Sequence, residues 1–387
     1  MLLPVSVKGQ MMDLVAFRKD LHRHPECGFA LGRTAARIGD VLQAAGLDVR
    51  QGIGGTGIVA SLRRGRADAA IGLRADMDAL PIVEANGFAH RSTFDGAFHG
   101  CGHDGHATML LGAALRIAAD PGVTRDVHFI FQPDEENGMG AKAMIADGLF
   151  DRFPMAEIYG LHNLPGLEVG RFAIQSGPFC AFEDNFEIKI TGKGGHASMP
   201  EAGVDAIVVA SAIVTQLQSI VSRSVSAKSH AVVSVTEFIS DGARNILASN
   251  AVLRGDCRGF TPGVSNRLRD RMEQIVAGTC AAHGAQGKLE YSTSFQPLVN
   301  DDVATARAIA AAGQVGQVDG DYGRVGFSED FAAYLDHCPG AFILAGNGIT
   351  DSHAMPLHNP HYDFNDAMID TGIAYWVALA QAEAPKC

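Results

Sequence analysis

Asn185-Phe186-Glu187-Ile188-Lys189-Ile190-Thr191 alternates without a break, with Phe186, Ile188 and Ile190 set against Glu187, Lys189 and Thr191. A period of two sends successive side chains to opposite faces, so the stretch predicts a strand with one face in a core and the other half exposed. It marks a change of character near residue 181. Beyond it the pattern predicts a helix over about Val204–Ser222, strands near Ala231–Phe238 and Ala251–Arg258, a helix over about Val264–His283 and a strand near Lys288–Ser294. The order βαββαβ is that of a split βαβ, ferredoxin-like α+β unit.

The flanks read differently. Asp13–His24 carries Leu14, Phe17 and Leu21 on one helical face and stops at Pro25, and Thr34–Ala45 is a second helix before Gly46. Short apolar runs at Ile58–Leu62, Ala69–Leu73, Val127–Phe131 and Ile158–Leu161 read as buried strands. Helices are expected between and after them at Asp104–Ala119 and Ala141–Asp147. Such βα alternation predicts a mixed, largely parallel sheet covered on both faces. The pattern resumes with a helix near Ala304–Ala312, a strand at Ala341–Ala345 and a helix at Ala367–Ala382. The expected organisation is therefore an α/β catalytic domain split into residues 1–180 and 295–387, with residues 181–294 inserted.

The chain has 387 residues, enough for two domains, and 47% are hydrophobic, ample for ordinary cores. A net charge of −12 without long charge runs argues against nucleic acid and anionic membrane as partners, since both reward a basic face. Met1–Gln10 lacks a leader pattern, and no segment reaches the roughly 18 uninterrupted apolar residues of a membrane span. Seven cysteines, at 27, 101, 180, 257, 280, 338 and 387, show no paired spacing, which fits a reduced, cytoplasmic protein.

Metal-ligand residue types gather in four separated segments: His99-Gly100-Cys101-Gly102-His103-Asp104-Gly105-His106, Gln132-Pro133-Asp134-Glu135-Glu136, Gly160-Leu161-His162-Asn163 and Leu357-His358-Asn359-Pro360. The glycines around Cys101 and His103 allow tight backbone geometry, so both side chains can turn to one point. A lone Cys-x-His reads more readily as a buried thiol and a hydrogen-bonded ring; the company of the other segments reverses that. Glu135 and Glu136 suit two jobs, one carboxylate holding an ion and the other moving protons. They are expected in extended chain, pointing apart. Asp76 and Asp78, two apart after a strand, are candidates either for ligation or for orienting a ligating His. His106, at the start of a helix, reads as packing or support. Asp76, Glu135 and His162 are expected just past strand C-terminal ends, where ligands bind in open α/β sheets.

Together these segments resemble the two-metal peptidases and amidohydrolases that include aminoacylases, hippurate hydrolases, plant auxin-conjugate hydrolases and carboxypeptidase G-type enzymes. The resemblance runs from Asp20-Leu21-His22-Arg23-His24-Pro25-Glu26 to His358-Asn359-Pro360-His361-Tyr362-Asp363-Phe364-Asn365-Asp366. Cys101-Gly102-His103-Asp104-Gly105-His106 is its most specific part and is similar to the hippurate hydrolase and auxin-conjugate branch. The resemblance implies two divalent ions (Zn, Mn, Co or Ni) held by Cys101, His103, Glu136, His162 and His358. It implies Glu135 as general base and Asp78 as support for a ligand or the base. Asp76 stands where peptidase relatives have a ligating His. His196, in Gly192-Lys193-Gly194-Gly195-His196-Ala197-Ser198-Met199-Pro200, would steady the oxyanion, often from a partner subunit. Asn245 and Arg258 would hold the substrate's free carboxylate, although the family's Pro shortly after that Asn is replaced in Asn245-Ile246-Leu247-Ala248. Gly326-Phe327-Ser328-Glu329-Asp330-Phe331 carries an extra Phe327 relative to the family's segment. The inserted domain would act as lid and dimerisation element of a homodimer or higher homo-oligomer. The expected activity is hydrolysis of the amide of N-acyl amino acids. The rivals are a dipeptidase or exopeptidase on the same scaffold, a non-catalytic binder of acyl-amino acids, and a chiefly structural dimer.

Overall fold

Ile71–Asp76 is buried at every residue, as is Val127–Gln132, so both strands must have core on each face. They occupy the middle of an eight-stranded sheet in a computed structural model that describes residues 6–7, 10–65 and 70–382. Most of residues 1–10, where no leader pattern is expected, the first residue of the strand expected at Ala69–Leu73, and Cys387 fall outside the described residues. The sheet order is Gln317–Asp319, Arg171–Ala173, Gly340–Gly348, Glu157–Pro165, Ile71–Asp76, Val127–Gln132, Gly57–Leu62, Asp48–Ile53. Its central strands, Gly340–Gly348 through Val127–Gln132, run parallel, and antiparallel strands close the side that ends at Asp48–Ile53.

The helix His103–Ala119 is buried over nearly its whole length, which explains its small side chains. A Cβ at Gly105 would lie 2.2 Å from the Phe364 ring, so only glycine permits that approach. Asp13 and Asp301 cap the helices Leu14–Arg23 and Asp302–Gly313 by accepting backbone N–H bonds, each cap contributing about 1 kcal/mol.

The chain divides into two compact units, residues 1–177 with 299–323 and 330–387, and residues 178–298 with 324–329. The second unit is a four-stranded antiparallel sheet ordered Ala231–Ser240, Asn250–Gly259, Phe182–Thr191, Gln286–Phe295. The strand Phe182–Thr191 alternates in burial, its Phe186, Ile188 and Ile190 packing with the helices Ala206–Ser224 and Pro262–His283 in one core cluster. Ala206–Ser224 is long and apolar enough to match a membrane span, yet its Val209, Ile213, Leu217 and Ile220 are buried in that core.

Three strands of the eight-stranded sheet are additions to the sequence reading: Asp48–Ile53, Arg171–Ala173 and Gln317–Asp319. Two of them are only three residues long, too short for a period to register. The strand expected at Ile158–Leu161 extends over Glu157–Pro165, so His162 sits inside the strand rather than past its end.

Candidate metal centre

The loop bearing Cys101 is fixed from several sides. Gly102 has φ +92, and a Cβ there would come within 2.4 Å of Asn163 Nδ2 and 2.5 Å of Tyr362 Oη. Asn163 Nδ2 donates to the Cys101 carbonyl at 2.6 Å, and Tyr362 Oη donates to Asn163 Oδ1 at 2.7 Å. The His358 N–H donates to the Gly100 carbonyl at 2.9 Å. His358 itself has φ +67 without being glycine, a conformation that costs roughly 1–2 kcal/mol and persists where surroundings impose it.

Onto this frame five side chains converge. Cys101 Sγ lies 3.4 Å from His162 Nε2, His358 Nε2 lies 3.4 Å from Glu136 Oε2, and His103 Nε2 lies 3.8 Å from Glu136 Oε1. Two triads have their donor atoms mutually within 4.8 Å: Cys101, His103 and His162, and Cys101, Glu136 and His358. Cys101 belongs to both. Buried polar atoms are almost always paired, yet His103 Nε2 and Glu136 Oε1 are buried without a hydrogen-bond partner. Thiolate, imidazole and carboxylate at these separations fit divalent ions of the Zn, Mn, Co or Ni type.

The rings are oriented from behind. His103 Nδ1 faces Asp78 Oδ1 at 3.2 Å, and His162 Nδ1 donates to the Asn163 carbonyl at 2.7 Å, leaving each Nε2 turned to the cluster. Asp78 Oδ2 also accepts the Glu136 N–H at 3.2 Å. Asp76, His103 and His106 meet the same distance criterion for an ion, but bonding decides against that trio. His106 donates from Nδ1 to Asp76 Oδ1 at 2.7 Å and accepts the Asn163 N–H at Nε2 at 3.0 Å, so both nitrogens are committed. Arg74 donates to Asp76 Oδ2 at 2.8 Å and also pairs with Asp330 at 2.9 Å. Asp76 therefore reads as support rather than ligand.

Charge in the cluster is unbalanced towards the negative. Burial pushes the Glu136 carboxyl up to about 7 against the pull of His103, with Asp78 and Asp76 pushing it further. Burial disfavours the charged His103 ring, but Asp76, Asp78 and Glu136 outweigh it and push His103 up to about 10. Burial likewise opposes ionised Asp76, yet His103, His106 and Arg74 hold it well below the usual carboxylate range. A site that draws a proton this strongly calls for cationic charge.

One expectation is corrected. Glu135 and Glu136 do not continue in extended chain. Asp134 has φ +52, and the Gly138 N–H donates to the Glu135 carbonyl at 2.8 Å, so a turn presents the two carboxylates. Both still reach the cluster, their oxygens and a ring nitrogen of His103 lying mutually within 4.8 Å.

The remaining candidates lie in the second unit. His196 and Asn245 are neighbours there: Gly195–His196 pairs with Ile246–Leu247, and the Ala197 N–H donates to the Asn245 carbonyl at 3.1 Å. Both side chains are exposed. Arg258 is tied down, donating to Ser328 Oγ at 2.6 Å, Glu183 Oε2 at 2.6 Å and Asp256 Oδ1 at 3.0 Å. The Phe327 carbonyl accepts the Ala181 N–H at 3.0 Å.

Sequence reasoning missed the buried network behind the cluster. Asp104 Oδ2 accepts from Arg18 Nη1 at 3.2 Å and meets His22 Nδ1 at 2.8 Å, and His22 Nε2 faces Glu84 Oε1 at 3.3 Å. The only local hint is that Asp104 follows His103 directly. Nothing in the spacing connects it to residues 82 and 86 positions earlier.

A model of peptidase family M20/M25/M40 matches residues 72–382, and the chain belongs to that family. It is 35% identical over 368 residues to the hippurate hydrolase of Campylobacter jejuni, covering 94% of each chain. It is 34% identical over 372 residues to the N-acetylcysteine deacetylase of Bacillus subtilis, covering 95% of this chain and 96% of that one. The crystal structure of a Bacillus subtilis dinuclear metal binding peptidase of the M20 family superposes with a TM-score of 0.83 at 30% identity, covering 95% of this chain and 96% of that one. The resemblance drawn from Cys101–His106 and its companion motifs thus holds at the level of family and fold.

Proposed function

We propose that this chain is a metal-dependent amidohydrolase that cleaves the amide of N-acyl amino acids into a carboxylate and a free amino acid. The observation that carries the reading is the pair of donor triads sharing Cys101, with His103 Nε2 and Glu136 Oε1 buried and unpartnered between them. The activities named for the hippurate hydrolase and N-acetylcysteine deacetylase relatives agree with it. Cys101, His103 and His162 would hold one ion and Cys101, Glu136 and His358 the other. Bound there, the ions would polarise the amide carbonyl and acidify a water.

The chain's own groups do the rest. Glu135 takes a proton from the attacking water and returns it to the leaving amine. Asp78 keeps the His103 ring in register and tethers the Glu136 backbone. His196 Nδ1 accepts the Ser198 N–H at 3.2 Å, which places the ring proton on Nε2. An Nε2–H donor is what a developing oxyanion needs. Residues 181–294 serve as a lid whose closure excludes water, and as a dimerisation element of a homo-oligomer. All six described cysteines are free thiols, which supports a cytoplasmic enzyme.

The test is release of free amino acid from a panel of N-acyl amino acids and dipeptides by metal-stripped protein resupplied with Zn, Mn, Co or Ni. Metal-dependent cleavage of the acyl compounds is expected. Cleavage of dipeptides alone would move the enzyme to the exopeptidase reading. Tight binding without cleavage under any metal would make it a binding protein.

A further inference from the structure

We propose that Asn163 is a positioning residue whose side chain, clamped between the Cys101 carbonyl and Tyr362, governs how firmly the ion assigned to Cys101, Glu136 and His358 is held. The inference rests on the two-metal reading above and goes beyond it by making the two ions depend unequally on one buried amide.

Asn163 is fully buried in the strand Glu157–Pro165, one residue past His162. All four of its polar groups are used. Its N–H donates to His106 Nε2 at 3.0 Å, and its carbonyl accepts from His162 Nδ1 at 2.7 Å. Its Nδ2 donates to the Cys101 carbonyl at 2.6 Å, and its Oδ1 accepts from Tyr362 Oη at 2.7 Å. The amide can sit only one way round. His106 donates from Nδ1 to Asp76 Oδ1, so the neutral ring accepts at Nε2, and Asn163 Nδ2 also lies 3.0 Å from that atom. Two acceptors therefore face the nitrogen of the amide, and a hydroxyl donor faces its oxygen. A carboxylate in the same place would turn an oxygen towards the Cys101 carbonyl and lose that bond.

The two ions lean on this clamp to different degrees. In the triad Cys101, His103 and His162, the His103 ring is oriented by Asp78 and the His162 ring by the main-chain carbonyl of Asn163. Neither needs the Asn163 side chain; only Cys101 does. In the triad Cys101, Glu136 and His358, two of the ligands trace back to the clamp. Cys101 does so through its own carbonyl. His358 does so because its N–H donates to the Gly100 carbonyl in the same loop, and because Tyr362, four residues on, is tied to Asn163. The His358 side chain is 51% exposed and its φ is +67, so little else imposes its position. Glu136 is held separately, its N–H donating to Asp78. The buried triad is the tighter site on this account, and the half-exposed triad the one that the amide controls. The clamp has no slack, since a Cβ at Gly102 would press on both Asn163 and Tyr362.

The experiment follows cobalt(II) binding to the metal-stripped full chain by chelator competition, in wild type, Asn163→Asp and Tyr362→Phe. The thiolate-to-cobalt charge-transfer absorption and the melting temperature of the metal-free protein are read alongside. In Asn163→Asp the tighter ion should stay within about three-fold of wild type, while the weaker one is held about 10- to 100-fold less tightly, the size of effect expected when a ligand loses the group that orients it. The rise in charge-transfer absorption as the second ion binds should shrink with it. Tyr362→Phe should weaken the second ion in the same sense by about two- to ten-fold, as for one lost neutral hydrogen bond. Equal weakening of both ions, or a lower melting temperature with both affinities unchanged, would make Asn163 a merely structural residue and overturn the assignment. If Asn163→Asp does not fold, Tyr362→Phe decides, and an unchanged second affinity there overturns the proposal. Failure of the wild-type chain to bind two ions would overturn the underlying two-metal reading instead, so the two failures are separable.

Discussion

His103 and His162 on one side, and His196 on the other, are histidines placed under opposite conditions. His103 is fully buried, its Nδ1 faces Asp78 and its Nε2 has no hydrogen-bond partner; His162 is nearly as buried, with Nδ1 held by a carbonyl in its own strand. His196 is exposed, and its contacts come from Ser198 two residues away. The first pair is fixed before anything binds, which a metal site requires because misoriented ligands lose affinity steeply. The third stays accessible, as a group must if it is to meet a substrate. Arg18, His22, Asp104 and Glu84 extend the rigid side behind Cys101, whereas Asn245 extends the accessible side.

Cys101→Ala attacks the rigid side at the ligand common to both triads. Metal analysis should show both ions lost or greatly weakened, with activity down at least about 1,000-fold. Retention of two ions would dissolve the shared-ligand arrangement. His196→Ala attacks the accessible side. It should lower kcat on the order of 100-fold or more while metal content stays that of wild type, the signature of a lost oxyanion donor. A fall in metal content would place His196 with the ligands. Asp78→Asn should weaken metal binding about 10- to 100-fold in competition titrations, because the His103 ring loses its charged anchor. Unaltered affinity would show the ring is held well enough by packing.

The mildest effect concerns the network behind the loop. Burial lowers the His22 ring, but Asp104 and Glu84 outweigh it and push it up to about 9 from 6.5. A group raised on folding stabilises fully below its unfolded pKa, and that contribution fades as pH rises through the folded value. Denaturant titrations should lose roughly 3 kcal/mol at most between pH 6.5 and 9, and His22→Gln should flatten that slope. An unchanged slope in the variant would assign the pH dependence to other groups.

Much of this division is legible in the chain. Period-two alternation at Asn185–Thr191 announces the antiparallel unit, and Cys101-Gly102-His103 announces the cluster, because both signals are local. What fails to show is non-local or conformational. The pairing of Arg258 with Glu183 depends on strand register across 75 positions. The bond from Asn163 to the Cys101 carbonyl spans 62 positions. The turn that presents Glu135 and Glu136 depends on Asp134 adopting positive φ, which no spacing rule signals for an aspartate.

The most direct measurement is metal content and turnover of Glu135→Ala side by side. Two ions per chain with turnover reduced about 100- to 10,000-fold is the expected result, since a lost general base leaves the ligands in place. Full turnover, or loss of the metal along with the activity, would contradict the division between a metal-holding Glu136 and a proton-moving Glu135.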